Sequence, residues 1–249
     1  MPYRLQEYFR RKKYPAHLQN FEKKVFSQNG EDGIIEEIFN RIGTTNKTFV
    51  EFGVENGTEN NSIYLLKEKK WHGLWIEGVE TCFNKASEFT KGLDVKIDLN
   101  FVTVENILDI LNKYDIPREL DFLSVDIDGN DYYVLSQILS TFRPRVVCVE
   151  YNASVGPESH FKIEYDPSFR WDTSKYFGAS LQCMNDILNN RDYRLVSCDA
   201  GGVNAFFVRR DLLQGKFIAP ENPVHFFYSA PKYGQFFGHI DQELLRMKS

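Results

Sequence analysis

Between Thr48 and Arg209 the chain alternates short apolar runs with segments of helical spacing, and this rhythm restricts the fold more than any other feature. The strand-length runs are Thr48–Phe52, Gly73–Glu77, Asp94–Leu99, Phe122–Ile127 and Arg145–Tyr151. Helical segments fall between them at Glu59–Lys70, Thr81–Thr90, Val104–Tyr114 and Asp131–Leu139. Another helix precedes them, with Ser27 placed as its cap, Ile34, Ile35, Ile38, Phe39 and Ile42 on one face, and Gly43 as its stop. Such repetition predicts βαβ units and a mainly parallel sheet, an α/β chain. A helix over Ala179–Asn190 and two strands, Tyr193–Cys198 and Asn204–Arg209, follow; Asp199–Gly202 joins the strands as a hairpin.

At 249 residues the chain suits a single domain, residues 27–249, behind a basic arm, residues 1–26. The arm carries seven Lys/Arg against Glu7 and Glu22, or +5, so the rest of this −5 chain is −10. The arm reads as a solvated segment or as a neighbour of an anionic substrate or an acidic surface. A mildly acidic chain is not a general nucleic-acid binder. The sequence offers no leader-like start and no apolar run long enough for a membrane span. Its four cysteines lack ligand spacing and read as reduced thiols, which points to the cytoplasm. Aromatic residues make up 15% of the chain, and many fall outside the βαβ rhythm. They gather in the irregular stretch 152–177, a natural substrate lid, and in the tail 213–249, which is expected to cover the sheet edge or bury a homodimer contact.

The first strand runs into Glu51-Phe52-Gly53-Val54-Glu55-Asn56-Gly57. Gly53 and Gly57 permit a tight turn and close backbone approach, and the helix start beyond offers N–H groups to an anion. Glu51 stands near the carboxyl end of its strand, where open α/β sheets bind ligands, and an acid there suits an ammonium. The G-x-x-x-G spacing is neither a dinucleotide fingerprint nor a phosphate loop. Glu77 closes the second strand 77 − 57 = 20 residues after Gly57, placed to accept hydrogen bonds from ribose hydroxyls. The two acids point to S-adenosylmethionine rather than NAD; a structural glycine turn and a surface acid are the competing readings.

Three carboxylates, Asp126, Asp128 and Asp131, crowd the end of the fourth strand, Asp131 as a helix cap. The fifth strand ends in Glu150-Tyr151-Asn152. Neighbouring strands bring Asp126, Glu150 and Asn152 to one rim, where oxygen ligands suit a hard cation such as Mg²⁺. Carboxylates tied to loop N–H groups, or one kept as a general base, are the alternatives. The catalytic candidates are Asp126, Asp128 and His160, with His72 as a further base. Trp171 and Tyr165 of the insert either stack on an acceptor or fold the insert down. Lys162 and Arg170 are candidates for an acceptor phosphate.

Phe49–Gly57 (FVEFGVENG), Gly73–Glu77, Phe122–Tyr133 (FLSVDIDGNDYY) and Val149–Asn152 resemble the FkbM-like branch of class I S-adenosylmethionine-dependent methyltransferases. Ser27–Asp32 (SQNGED), Tyr176–Ser180 (YFGAS) and Gly202–Val208 (GVNAFFV) extend the resemblance to residues 26–212. It implies a Rossmann-like, seven-stranded, mainly parallel sheet with an antiparallel last strand and helices on both faces. It further implies that Glu51, Gly53 and Gly57 form the methionine-side loop, that Glu77 holds the ribose, that Asp98 lies near the adenine, and that Asp126 faces the methionine amine or a metal. The implied activity is O-methylation of a sugar, a nucleotide-linked sugar or a phosphorylated metabolite, in surface-polysaccharide or specialised-metabolite synthesis. Metal-dependent relatives carry an acid pair after strand five, replaced here by Glu150-Tyr151-Asn152. An N-methyltransferase, a non-catalytic adenosyl- or partner-binding module and a nicotinamide oxidoreductase are the alternatives.

Overall fold

A computed structural model describes residues 16–226 of the chain. The elements are α1 (Glu31–Ile42), β1 (Thr48–Phe52), α2 (Ile63–Lys67), β2 (His72–Glu77), α3 (Glu80–Phe89), β3 (Val95–Leu99) and α4 (Ile107–Lys113). They continue with β4 (Phe122–Val125), α5 (Asp131–Ile138), β5 (Val146–Glu150), α6 (Leu181–Asn189), β6 (Tyr193–Cys198) and β7 (Asn204–Arg209). All seven expected strands form one sheet in the order β3-β2-β1-β4-β5-β7-β6. The pairings from β3 through β5 are parallel, and β7 runs antiparallel to both of its neighbours.

Period-two alternation sends successive side chains to opposite faces, and both faces are covered. Val50, Leu123, Val147 and Phe207 pack with the inward residues of α4, α5 and α6. Phe49, Phe122, Cys148 and Phe206 pack with those of α1, α2 and α3. This double burial explains why the strands read as near-continuous apolar runs.

Several elements are shorter than their sequence pattern, and side chains are the reason. Helix α2 begins at Ile63 because the Glu51 carboxylate accepts the Asn61 and Ser62 N–H groups. Strand β4 ends at Val125 because the Asp131 carboxylate accepts the Ile127 and Gly129 N–H groups. Asp131 thereby fastens the loop before α5 instead of capping the helix. Gly30, with φ 109°, occupies the position before α1, while the Ser27 hydroxyl still accepts the Asp32 N–H.

The described end of the arm packs on the body: Leu18 is buried, and the Gln19 amide donates to the Cys198 carbonyl. Most of the arm's cations, Arg4 to Lys13, lie outside the described residues. The insert holds its own small cluster, Val155, Phe161 and Ile163 against Phe169 and Tyr176. Of the tail, Phe217 and Phe226 are buried in the body, and residues 227–249 lie outside the described residues. Among the described residues no helix is long and apolar enough to cross a membrane.

At the opposite edge from the strand carboxyl ends, buried Asp121 ties three elements together. It accepts from the N–H groups of Thr45, Asn46 and Lys47 and from Arg145, whose guanidinium also donates to the Ile42 and Gly43 carbonyls. Burial pushes this carboxyl up, but Arg145 and the N–H donors outweigh it and hold it below its ordinary value. Asp121→Asn, which leaves Arg145 buried without its counter-charge, is expected to lower stability by about 3–5 kcal/mol in urea unfolding at neutral pH. A carboxyl with a lowered folded pKa stabilises above its unfolded value of about 3.9 and loses that contribution below it, so the gap should narrow in acid.

Candidate active site

In a sheet of this order the chain reverses direction between β1 and β4, and the crevice at the carboxyl ends of those strands is where open α/β sheets take ligands. A cavity of about 740 Å³ lies there. Its walls come from the ends of β1, β2, β4 and β5, from the loop after β3, from the segment before α1, from the start of β7, and from Phe169–Trp171 of the insert. Because β7 runs backwards, its first residue, Asn204, stands directly across from Glu150 at the end of β5.

The β1–β2 side carries the glycine loop. Gly53 has φ 69°, and a Cβ there would sit 1.8 Å from the Asp126 carbonyl oxygen, so only glycine lets β1 and β4 close at this point. Gly57 serves a different purpose: it packs against the Trp75 ring and is absent from the cavity wall. Glu77 lines the cavity with one oxygen accepting the Glu55 N–H at 2.8 Å and the other the Val79 N–H at 2.8 Å. Burial nonetheless raises this carboxyl. A carboxylate oxygen accepts more than one hydrogen bond, so Glu77 keeps acceptor capacity toward the cavity.

Glu51 also borders the cavity, yet its oxygens are engaged by the Asn61 and Ser62 N–H groups and the Ser62 hydroxyl, which in turn accepts from the Trp75 indole. Its role in this geometry is to hold the loop, and burial pushes its carboxyl up to about 7. Next to it, Asn60 lines the cavity with a buried side-chain NH₂ that has no partner.

The β4–β5 side is an acid cluster. Asp126, Asp131 and Glu150 each offer an oxygen within 4.8 Å of the others. Burial and the neighbouring carboxylates raise Asp126 and Glu150 well above the ordinary range, and the two are hydrogen-bonded. Asp128, in the left-handed region at φ 54°, borders the cavity with its carboxyl raised to about 6 by burial and by Asp131. Glu150 Oε2 is shielded from solvent and has no hydrogen-bond partner.

Besides Gly57, four expected site residues lie off the cavity wall. The Asn152 carboxamide accepts from Ser154 and donates to the Lys175 and Phe177 carbonyls; it pins the two ends of the insert together, and Asp131 stands in the cluster instead. Asp98 pairs with Lys113 at 3.3 Å, and the wall after β3 is Asn100 and Phe101. His160 is an exposed partner of Asp186, 3.1 Å away. His72 begins β2, at the strand end away from the cavity, and contacts the Thr48 hydroxyl. Tyr165 ties the insert down through Glu105 and the Val104 N–H. Arg170 lies over the Phe101 ring, 3.3 Å from its centroid, and Trp171 joins it on the wall.

Glu31 and Asn204 were not foreseen as site residues, although SQNGED and GVNAFFV contain them. Glu31 enters the cavity wall from the start of α1, and its carboxylate accepts from the Asn29 N–H and from the Asn204 carboxamide. Behind them, Asp199 is raised to about 7 by burial and by Glu31.

A doubly wound sheet with one reversed strand, opened at its switch point by an acid-lined cavity, places the chain among the Rossmann-like α/β proteins. Residues 18–195 match the methyltransferase FkbM domain, and the chain belongs to that methyltransferase family. No curated protein sequence matches it. Among solved structures, it is similar to the N-terminal domain of EvdMO1 with SAH bound, at 12% identity and a TM-score of 0.45, covering 84% of this chain and 95% of that one. It is also similar to an S-adenosylmethionine-dependent methyltransferase from Clostridium acetobutylicum, at 11% identity and a TM-score of 0.46, covering 72% and 89%. TrmK from M. capricolum, in complex with S-adenosyl-homocysteine, shows 12% identity and a TM-score of 0.42 over 70% and 65%.

Glu51 gives a pH test. Its raised folded pKa means that it favours the folded state most below its unfolded value of about 4.3 and loses that contribution as pH rises through about 7. Thermal unfolding of Glu51→Gln against the wild type should therefore shift in the variant's favour between about pH 5 and about pH 8.

Proposed function

We propose that the chain transfers a methyl group from S-adenosylmethionine to a hydroxyl of a small acceptor, a sugar or sugar-like metabolite. The FkbM resemblance points to an acceptor from surface-polysaccharide or specialised-metabolite synthesis. The observation that carries the reading is a single cavity that joins Glu77 and the glycine loop on one side to a carboxyl cluster on the other. The wall suits this donor chemically. Glu77 would accept from the ribose hydroxyls, the unpartnered Asn60 NH₂ would donate to the methionine carboxylate, and Asp126 would face the methionine ammonium. Eight acids and two bases line the cavity, a balance that favours a cationic ligand.

When bound, the donor supplies a methyl carbon already activated by a positive sulfur. The protein's remaining tasks are alignment and removal of one proton. Asp128 serves as general base: a carboxyl near 6 is largely ionised at neutral pH and still basic enough to accept a proton. It takes the hydroxyl proton as the acceptor oxygen bonds to the methyl carbon and the carbon–sulfur bond breaks. Phe169, Arg170 and Trp171 bring the insert to the cavity wall.

A second reading adds a divalent cation, for which Asp126, Asp131 and Glu150 would be the ligands. The Asp131 carboxylate already accepts two backbone N–H groups, which reduces what it can offer.

Calorimetry with S-adenosylmethionine tests the first reading. The wild type should bind, and Glu77→Ala should bind about 10- to 100-fold more weakly, as loss of a charged acceptor predicts. Absence of wild-type binding sinks the proposal, and binding without S-adenosylhomocysteine formation from any acceptor favours a non-catalytic module. Turnover unchanged by EDTA removes the metal reading.

A further inference from the structure

The strand order divides the cavity. Both basic residues of the wall stand on the β2–β3 side: Lys85 on α3, which follows β2, and Arg170 over Phe101, which follows β3. The β5–β7 side holds Glu150, Asn204 and Glu31, and no Lys, Arg or His among the described residues lines it.

These three side chains form one continuous wall. Glu150 and Asn204 face each other across the β5–β7 pair. The Asn204 carboxamide donates to Glu31 at 3.2 Å. Hydrogen bonds fix the wall from behind: the Asn29 N–H donates to Glu31, and the Asp199 carboxylate accepts the Asn204 N–H. Buried acceptors are rarely left without a donor, because the lost solvation is not returned. Glu150 Oε2 is such an atom, shielded from solvent, without a partner and on the cavity wall. It marks a place where a bound donor belongs.

We infer that Glu150, Asn204 and Glu31 form the acceptor subsite, and that it takes an uncharged, hydroxyl-bearing group. A hydroxyl can donate to the unpartnered Glu150 oxygen and accept from the Asn204 amide, so a polyol suits this wall. Glu31, itself already accepting from the Asn29 backbone and side chain and from Asn204, holds that amide in place. A phosphate or carboxylate on the acceptor brings its negative charge into an acid-lined space with no cation among the described residues on this side, which opposes binding. This reading departs from the expectation of a phosphorylated group held by Lys162 and Arg170: Lys162 lies over the Tyr132 ring and Arg170 belongs to the opposite half. This inference rests on the O-methyltransferase reading and specifies its acceptor.

The test uses the full chain in EDTA, with S-adenosylmethionine and a panel of methyl hexopyranosides beside the matching hexose phosphates and uronic acids. S-adenosylhomocysteine release is the readout. The neutral glycosides are expected to be consumed and the charged sugars not. Glu31→Gln and Asn204→Ala should each raise the glycoside KM about 10-fold, the loss or misplacement of roughly one hydrogen bond, while the dissociation constant for S-adenosylmethionine stays within about 2-fold. That constant, measured by calorimetry, also reports whether each variant is folded. Turnover of phosphates in preference to glycosides overturns the inference. So does a KM unmoved in both variants, or a wild type that binds S-adenosylmethionine and consumes no glycoside. A wild type that does not bind S-adenosylmethionine overturns the parent reading as well, which separates the two failures.

Discussion

The contact between Gly53 and the Asp126 carbonyl is the tightest constraint in the molecule that also bears on its chemistry. A side chain at Gly53 would meet that oxygen at 1.8 Å. The ends of β1 and β4 are therefore locked together at the point where the sheet reverses its order. That lock sets the depth of the cavity, because Glu51 and Glu77 reach it from one side of the lock and Asp126 and Glu150 from the other. Glu51 stabilises the arrangement by occupying the backbone donors of Asn61 and Ser62, which would otherwise extend α2 toward the cavity.

Electrostatics follow from this geometry. Closing the strand ends gathers carboxyl groups in a poorly hydrated space, and each raises the others. Such a cluster is tolerable when some members stay protonated or when a cationic ligand is present. A sulfonium donor provides that charge and loses it on methyl transfer, so the same field that favours the donor favours the uncharged product less. On the proposed function, donor entry and product exit are biased in opposite senses by one set of side chains.

Sheet topology was legible because both faces of the sheet are buried, and the strands advertise this as unbroken apolar runs. Glu51, Gly53 and Glu77 were legible because they sit at fixed offsets from strand ends. Sites that depend on pairing across distant parts of the chain were not. Asn204 reaches the cavity only because β7 pairs antiparallel with β5, and nothing local to Gly202–Val208 reports that register. Asn152 carries oxygen and nitrogen suited to many tasks, and only the folded insert shows that its amide is consumed by Lys175 and Phe177. The positions of the two candidate histidines were illegible for a related reason: residue chemistry announces capability, while place in the fold decides what a side chain can reach.

The two halves of the cavity also differ in how the chain assembles them. The glycine-loop half is drawn from residues 51–101, a span of adjacent βαβ units. The Asn204–Glu31 contact closes a separation of 173 residues. Long-range closure is entropically slow, and here it requires the final strand to insert between β5 and β6. During synthesis on the ribosome, the glycine-loop half is complete in sequence well before Asn204 has emerged. The Glu150–Asn204–Glu31 wall of the cavity thus comes into being only when the last strand of the sheet locks into place.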